Sequence, residues 1–433
     1  MKMLQRLVGF DPRTMTVKTE FVAALTTFLS MSYILAINPM ILGTTGMDKA
    51  TLFSATAIAS AIATLLIAFM AKLPFAQAPG AGLNAFFAFT MCQIMGLTWQ
   101  QSLAILLIEG LIFILITFLN IREKILEAIP ANLRYAITAG IGTFIAFIGL
   151  RNAGLVVSNQ STLVHLGDFT PSAMLGVIGI LVTGTLIFKK VKGALFWSII
   201  IVTIIGIPMG ETHLTAGWSP VSMPNSLEPT FLQFDFSGLL SFKTVIVVFS
   251  LLLVNIFDTL GTLMALADKT GVVQPDGSIP RIKEAMLSDA IGTTCGACLG
   301  TSTVTTYLES ASGVAEGGRS GLTAAFVGIF FLLSLFLSPI FLLIPSAATT
   351  GALVMVGAMM LESVRKIDFS DPSEALPSFI VVIAMPLCYS ISDGICMGLL
   401  AYVFIKLLTG NFKKLNLTLA ILAIFLLMYY IAG

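Results

Sequence analysis

Long apolar runs separated by short polar segments dominate the chain. A helix needs about 20 apolar residues to cross the ~30 Å hydrocarbon core of a bilayer, and runs of this kind recur from end to end. Fourteen are predicted, seven on each side of a polar loop at 210–242. They cover 21–42, 51–71, 75–96, 99–119, 135–154, 171–188 and 193–209, then 244–267, 284–299, 301–315, 320–344, 347–361, 376–391 and 393–409. The pattern predicts an all-α integral membrane protein.

Composition supports this class, because 57% of the 433 residues are hydrophobic and only 10% are charged, which no soluble core requires. The basic, polar start of the chain has no small-residue cleavage site, so no cleaved signal peptide is expected. A last apolar run, 415–431, is left open as an extra span or an interfacial helix.

The positive charges test the span count, since Lys and Arg collect on the cytoplasmic side of membrane proteins. With a cytoplasmic N-terminus and one crossing at each span, all of the 23 Lys and Arg residues fall inside except Lys49, Arg151 and Lys243. Seven spans in each half give the two halves opposite orientations, which is the inverted repeat of secondary transporters. The expected location is therefore the cytoplasmic (inner) membrane.

The run at 301–315 is too polar for an ordinary spanning helix. Five hydroxyl residues stand within 301–306, and β-branched residues such as Thr305 and Thr306 favour extended backbone. Glu309 follows near the expected midplane, where a carboxylate costs at least ~2.5 kcal/mol and is a functional hypothesis by default. Small residues from Ser310 onward suit a short helix. The pattern predicts a strand-like break with a binding carboxylate.

The run at 75–96 carries a second interruption at the matching place in the first half. Pro79 lacks a backbone donor, and Gly80 and Gly82 weaken any helix, which resumes near Asn84. Paired interruptions of this kind are the best sequence indicator of a transport site, although glycine and proline also serve close packing in membrane helices.

Further acids lie within or at the ends of the predicted spans. Asp258 stands deep in span eight with no basic residue of its own span to neutralise it, so it joins Glu309 as a candidate for binding substrate and proton. Glu109 and Asp289 are interpreted as supports that accept hydrogen bonds from the broken spans.

Two acids near span ends are given structural roles. Glu316 with Arg319 is interpreted as a solvated pair or loop anchor. Asp393 is expected to cap the last helix.

Other chemistry is not indicated. His165 and His213 both fall in external loops, so any proton relay must use carboxylates, whose protonated form burial favours. Cys295 and Cys298 form a lone C-x-x-C that is interpreted as packing. No metal, cofactor or nucleic-acid site is predicted.

The groups expected at the two breaks define a ligand. They offer carboxylate acceptors, helix N-termini with free N–H groups, the Asn84 amide and aromatic rings, without Lys or Arg at membrane depth. A flat neutral heterocycle with N–H donors and a carbonyl fits these groups better than an anion does.

The chain resembles a known family at these residues: the nucleobase–cation symporters of the ascorbate/nucleobase type, in their azaguanine-resistance branch of adenine, guanine and hypoxanthine permeases. The resemblance rests on four segments: Phe10 to Pro39, QAPGAGLNAFFA (77–88), NIFDTLGTL (255–263) and GTSTVTTYLESASGVAEGGRSGL (300–322). The related uracil permeases carry Glu and, one turn later, His where this chain has Asp258 and Thr262.

The resemblance implies a fold of fourteen spans in two inverted sevens, with a short strand before a half helix in spans three and ten. A core domain (1–134 and 243–345) would hold the substrate. A gate domain (135–242 and 346–433) would flank it and offers a homodimer interface.

The implied function is import of a purine nucleobase by proton symport, with an elevator-like movement of core against gate. The candidate substrate-binding residues are Asp258, Glu309, Asn84, Gly82, Thr306, Ser310 and Phe86. Asp258 and Glu309 are the proton-coupling candidates, and Glu109, Asp289 and Thr262 are supporting residues. The alternatives are a same-fold carrier of xanthine, uracil or a small anion, a channel, and an intramembrane aspartyl protease, whose G-x-G-D pattern is absent.

Overall fold

The computed structural model of the protein describes residues 2–119, 130–214, 217–239, 241–270 and 281–411, with scattered positions from 415 to 427. Most of this chain is helical, which confirms the predicted class. The apolar run at 415–431 lies largely outside the described residues.

The described part of the first half contains nine α-helices and three strands. In chain order they are α1 (Lys2–Val8), α2 (Val17–Met31), α3 (Ile34–Leu42), α4 (Lys49–Met70), β1 (Gln77–Pro79), α5 (Ala81–Ala85), α6 (Trp99–Phe118), α7 (Ala131–Asn152), β2 (Val156–Asn159), β3 (Leu163–Leu166), α8 (Pro171–Phe188) and α9 (Ala194–Gly206). A π-helix, Phe86–Ile94, continues directly from α5.

The described part of the second half adds eight α-helices and one strand. They are α10 (Phe242–Thr270), α11 (Ile282–Leu299), β4 (Val304–Thr306), α12 (Ser310–Ala315), α13 (Gly321–Ser334), α14 (Ser338–Leu342), α15 (Thr350–Leu361), α16 (Pro372–Leu387) and α17 (Ile391–Leu408).

Seven helical stretches among the described residues are long and apolar enough to cross a membrane. They are Val17–Thr45, Lys49–Met70, Trp99–Phe118, Ala131–Asn152, Pro171–Phe188, Gly321–Leu342 and Ser346–Lys366. Shorter apolar helices cover Ala81–Ile94, Ala194–Gly206, Thr244–Leu260 and Pro372–Leu387. The protein is thus a multi-pass membrane protein.

Both predicted breaks contain extended backbone, and the two breaks pair with each other. β1 and β4 form an antiparallel two-stranded sheet in the register Gln77↔Thr306, Ala78↔Thr305 and Pro79↔Val304. The pairing satisfies backbone groups that a broken helix leaves free, as buried backbone requires. All six strand residues are buried.

A short helix follows each strand. After β1, the backbone N–H of Asn84 donates to the Gly80 carbonyl at 2.8 Å, which is the first helical hydrogen bond of α5. After β4, α12 starts at Ser310, directly behind Glu309. The strand pair therefore places the first turns of both short helices at one locus.

Close helix packing surrounds this locus. α7 packs against α15 and α16, and α4 packs against α11 and α13. A Cβ atom at Gly142 of α7 would come within 2.6 Å of the Gly357 carbonyl on α15. Glycines let these helices approach closely, as small residues do between membrane helices.

Two predictions about span ends need correction. Glu316 pairs with Lys192 at 2.7 Å, while the Arg319 guanidinium donates to the carbonyls of Val314 and Gly318, so Arg319 is a loop anchor and the two are not each other's partner. The cap of α17 is Ser390, whose hydroxyl accepts from the Asp393 amide at 3.2 Å. The Ncap position lies before the first helical turn, and Asp393 stands inside that turn.

Candidate functional site

Asp258 of α10 lies beside the strand pair. The Thr305 hydroxyl of β4 donates to Asp258 Oδ2 at 3.2 Å, and the carboxylate is half-buried. The span-eight acid is therefore held by the break in the predicted span ten.

Glu309 precedes α12 and receives a hydrogen bond from a residue far away in the sequence. The Tyr33 hydroxyl donates to Glu309 Oε1 at 2.7 Å, and Tyr33 stands at the interruption between α2 and α3. The Tyr33 and Tyr307 rings lie 6.3 Å apart, and the Tyr307 hydroxyl donates to the Pro79 carbonyl at 2.5 Å. Asp258 contacts Thr305, and Glu309 follows Thr305 by four residues, so both acids lie at the break in the predicted span ten.

Asp289 of α11 lies fully buried on the other side of Thr305. Thr259 donates to its Oδ2 at 2.5 Å and Thr306 to its Oδ1 at 3.0 Å, and the Gln77 side-chain amide also donates to Oδ1. The carboxylate thus receives side-chain hydrogen bonds from α10 and from both strands. The supporting role of Asp289 stays a prediction.

Glu109 of α6 is fully buried as well. Asn255 donates to its Oε1 at 2.9 Å, while Oε2 has no hydrogen-bond partner among the described residues. Asn255 lies one turn before Thr259, and the Thr259 hydroxyl lies 3.5 Å from Asn255 Oδ1. Glu109 therefore extends the polar network around Asp289.

Asn84 presents one unused donor. Its Oδ1 accepts from the Ser302 hydroxyl, whereas its buried Nδ2 has no hydrogen-bond partner within the described chain. An unpaired buried donor costs free energy, so a ligand carbonyl or a water molecule would stabilise this amide.

The other four predicted substrate-binding residues make contacts within the protein. A Cβ atom at Gly82 would meet Ile141 of α7 at 2.6 Å, so close packing explains this glycine. Thr306 faces Asp289, and the Ser310 hydroxyl accepts from the Ala76 amide at 3.0 Å. Phe86 is buried in the main core cluster.

Thr262 is half-buried on α10, four residues after Asp258. This spacing places the two residues on the same face of the helix.

Several contributing residues escape the sequence-based prediction. Thr305 was named only as a strand former, although it contacts Asp258. Tyr33 lies within an apolar run where an aromatic residue carries no distinguishing signal. Glu20 is buried and its carboxylate accepts from the amides of Arg319 and Thr323, both at 3.2 Å.

A second buried group of charges, here called the lysine cluster, lies between α16 and α17. Lys406 is fully buried, its ammonium 2.8 Å from Glu374 and 3.9 Å from Asp371. The hydroxyl of Ser373 accepts from Lys406, and Tyr402 donates to Glu374 at 3.4 Å. The positive-charge count places Lys406 at a cytoplasmic helix end and gives no hint of this burial.

The acid cluster, meaning Glu109, Asp258, Asp289 and Glu309, has no such cation. The ion pairs between described residues join Lys192 to Glu316, Arg365 to Glu362, and Lys406 to Asp371 and Glu374. Within the same residues, no group of three or more His, Cys, Asp and Glu could hold a metal ion. The site offers acceptors, one free amide donor and two tyrosine rings.

Interrupted helices that present acids at membrane depth are typical of secondary transporters. The model of the Permease family matches residues 18–397, and the chain belongs to that family. Its members are transporters and not enzymes.

The chain is similar to curated relatives over nearly its whole length. Adenine permease AdeP of Escherichia coli (strain K12) is 39% identical, over 98% of this chain and 94% of that protein. Guanine/hypoxanthine permease PbuG of Bacillus subtilis (strain 168) is 38% identical, over 98% of each.

The fold is similar to that of solved transporters. The transmembrane domain of the cyanobacterial bicarbonate transporter BicA superposes with a TM-score of 0.66 at 14% identity, covering 87% of this chain and 97% of that domain. At this identity the similarity concerns the fold alone.

Proposed function

We propose that the protein imports a purine nucleobase (hypoxanthine, guanine or adenine) across the cytoplasmic membrane by proton symport. The observation that carries the proposal is that Asp258 and Glu309 lie at the same break, Asp258 accepting from Thr305 and Glu309 from Tyr33, without a basic partner in the described chain. Related permeases of adenine and of guanine/hypoxanthine at 38–39% identity support the substrate class.

Recognition of the base follows from complementary hydrogen bonding. Asp258 and Glu309 accept ring N–H groups, while Asn84 Nδ2 donates to a carbonyl or ring nitrogen of the base. Tyr33 and Tyr307 flank Glu309 and supply aromatic surface to a planar ring. A neutral base leaves the carboxylates free to exchange the coupled proton.

The proposed architecture comprises fourteen spans in two inverted sevens, with a cytoplasmic N-terminus. Residues 1–134 and 243–345 form the core domain, which moves in an elevator-like manner against the gate domain of 135–242 and 346–433. The pairing of β1 with β4, one from each half, supports such a repeat because equivalent breaks meet at its centre. Two copies associate through the gate domains.

Uptake of radiolabelled hypoxanthine, guanine and adenine by cells that lack their own purine carriers tests the proposal. We expect saturable uptake of at least one purine, stimulated by an inward proton gradient and inhibited little by uracil, xanthine or bicarbonate. Counterflow of preloaded purine is expected, because a carrier exchanges substrate and a channel does not. Preferential uptake of xanthine, uracil or an anion would favour the alternative substrates. Uptake independent of both pH and the proton gradient would exclude proton coupling.

A further inference from the structure

A continuous chain of hydroxyl groups joins two carboxylates of the acid cluster. Asp258 Oδ2 lies 3.2 Å from Thr305 Oγ1, which lies 3.2 Å from Thr259 Oγ1. Thr259 Oγ1 lies 2.5 Å from Asp289 Oδ2. The Thr259–Asp289 separation is within the usual O–H···O range, and the two other separations are slightly longer.

This connection depends on β4. Asp258 and Thr259 are consecutive on α10, and consecutive side chains of an α-helix point about 100° apart. Thr305 enters from the strand and contacts both of them, so it bridges two directions of one helix. The path exists because the break replaces a helix with extended backbone at this position.

Neutral groups and two further acids surround the path. Asp289 also receives hydrogen bonds from Gln77 and Thr306, Glu109 is reached through Asn255, and Glu309 follows Thr305 by four residues. Among the described residues no Lys, Arg or His pairs with Asp258 or Asp289. Two linked carboxylates without a cation, one half-buried and one fully buried, disfavour the doubly ionised state, so a single shared proton is stabilised.

We propose that the coupled proton passes between Asp258 and Asp289 through Thr305 and Thr259, which makes Asp289 a second proton site. This inference rests on the proposed proton-coupled function. The Asp258 O–H bond breaks as its proton moves to the Thr305 oxygen, the Thr305 proton moves to Thr259, and the Thr259 proton moves to Asp289. One proton is transferred, both hydroxyls are regenerated and the total charge is unchanged.

The relay separates two tasks, accepting an N–H group of the base and carrying the coupled proton, because one carboxylate cannot do both at the same time. With the proton on Asp289, Asp258 is ionised and accepts an N–H of the base. With the proton on Asp258, that hydrogen bond is lost and release of the base is favoured. The proton stays within the same buried network in both states, which avoids exposing a second charge to the low-dielectric interior.

The relay is tested with Thr259→Val, which removes the hydroxyl at nearly constant volume, and Thr259→Ser, which retains it. The readout is the ratio of gradient-driven purine accumulation to purine counterflow, since counterflow requires no net proton movement. We expect Thr259→Val to lower this ratio at least tenfold and Thr259→Ser to restore it. Thr305→Val and Thr305→Ser interrupt and restore the same path at its other hydroxyl.

A matched control is Thr117→Val, which removes a buried hydroxyl of α6 that donates to the Phe113 carbonyl, away from the path. Membrane abundance is measured for every variant. If the Thr259→Val protein does not reach the membrane, Thr305→Val and Thr305→Ser test the relay instead. An unchanged ratio in a valine variant, with a wild type that couples normally, overturns the relay alone. A wild type without purine transport overturns the proposed function, and the relay with it.

Discussion

The acid cluster and the lysine cluster both bury carboxylates, but they stabilise them differently. Glu374 of the lysine cluster lies 2.8 Å from the Lys406 ammonium. Asp258, Asp289 and Glu309 instead receive hydrogen bonds from hydroxyl and amide groups. The difference is between a carboxylate compensated by charge and a carboxylate compensated by neutral dipoles.

Burying an ion costs several kcal/mol, and a protein lowers this cost in one of two ways: a counter-ion compensates the charge, or a proton neutralises it. The lysine cluster uses the first and can stay charged throughout the transport cycle. The acid cluster lacks the first among the described residues, so it is the one expected to take up and release protons. Burial of an acid alone therefore does not indicate proton exchange, and the lack of a neighbouring cation is what distinguishes the acid cluster from the lysine cluster.

The largest expected effect comes from neutralising the acid cluster. Asp258→Asn and Glu309→Gln keep the side-chain shape but remove the ionisable acceptor, so we expect roughly 100-fold slower purine uptake, as the loss of a charge-assisted hydrogen bond worth about 3 kcal/mol implies. Uptake at two pH values, normalised to membrane abundance, measures it. Uptake near that of the wild type in either variant would contradict the assignment.

Removing the cation of the lysine cluster affects stability first. Lys406→Met leaves Glu374 buried without a counter-ion, so we expect a loss of about 3–5 kcal/mol in unfolding free energy. Thermal unfolding in detergent measures it. The double variant Lys406→Met with Glu374→Leu removes both charges and is expected to recover most of the loss. Equal destabilisation by the single and double variants would show that charge compensation is not the reason.

Gly82 stands two residues before Asn84 in the sequence, yet its effect is expected on packing. Gly82→Ala brings a methyl group within 2.6 Å of Ile141, and such overpacking costs about 1–3 kcal/mol. We expect a lower unfolding temperature with the substrate KM unchanged in the protein that folds. Ile141→Ala in the same chain should relieve the clash. A raised KM without destabilisation would instead return Gly82 to the substrate site.

Tyr33→Phe removes one hydrogen bond to Glu309 and leaves the ring. Glu309 then loses the donor that orients its carboxylate and stabilises its charge. A hydrogen bond to a charged group contributes about 1.5 kcal/mol, so we expect KM to rise about tenfold with a smaller change in maximal rate. Tyr307→Phe, which loses a bond to a backbone carbonyl, is the control. A lower KM in Tyr33→Phe would mean that the hydroxyl competes with substrate.

The smallest effect is expected at the exposed ion pair. Lys192 is 61% exposed where it pairs with Glu316, and exposed pairs contribute less than about 1 kcal/mol. Lys192→Gln is expected to change neither unfolding temperature nor uptake appreciably at physiological ionic strength. A loss as large as that of Lys406→Met would show that burial is not what separates the two pairs.

Local chemistry made the two breaks predictable. Pro79 and Gly80 disfavour a helix, the threonine run favours a strand, and an acid within an apolar run indicates a functional site. Which residues of β4 face Asp258 was not predictable. Alternate residues of a strand face opposite directions, and nothing in the sequence shows which set faces Asp258. The sequence pattern favours Thr306 for the substrate and assigns Thr305 only to the strand, whereas Thr305 contacts Asp258.

Partners distant in the chain escaped prediction for a related reason. Tyr33 and Glu309 are 276 positions apart, and one tyrosine within an apolar run has no local signature of such a contact. Lys406 stands near a helix end, where long cationic side chains usually reach the interface. Its burial depends on how α16 packs against α17, which hydrophobic periodicity does not specify.

The β1–β4 pairing has a consequence for biosynthesis. Gln77 faces Thr306, so the ribosome translates more than half of the chain between the two strands. Until the second half is made, the backbone amide of Gly80 lacks the Thr303 carbonyl to which it donates at 3.0 Å, and such long-range pairing is slow and vulnerable. The first half therefore cannot mature on its own, and assembly of the transport site must wait for the second half to enter the membrane.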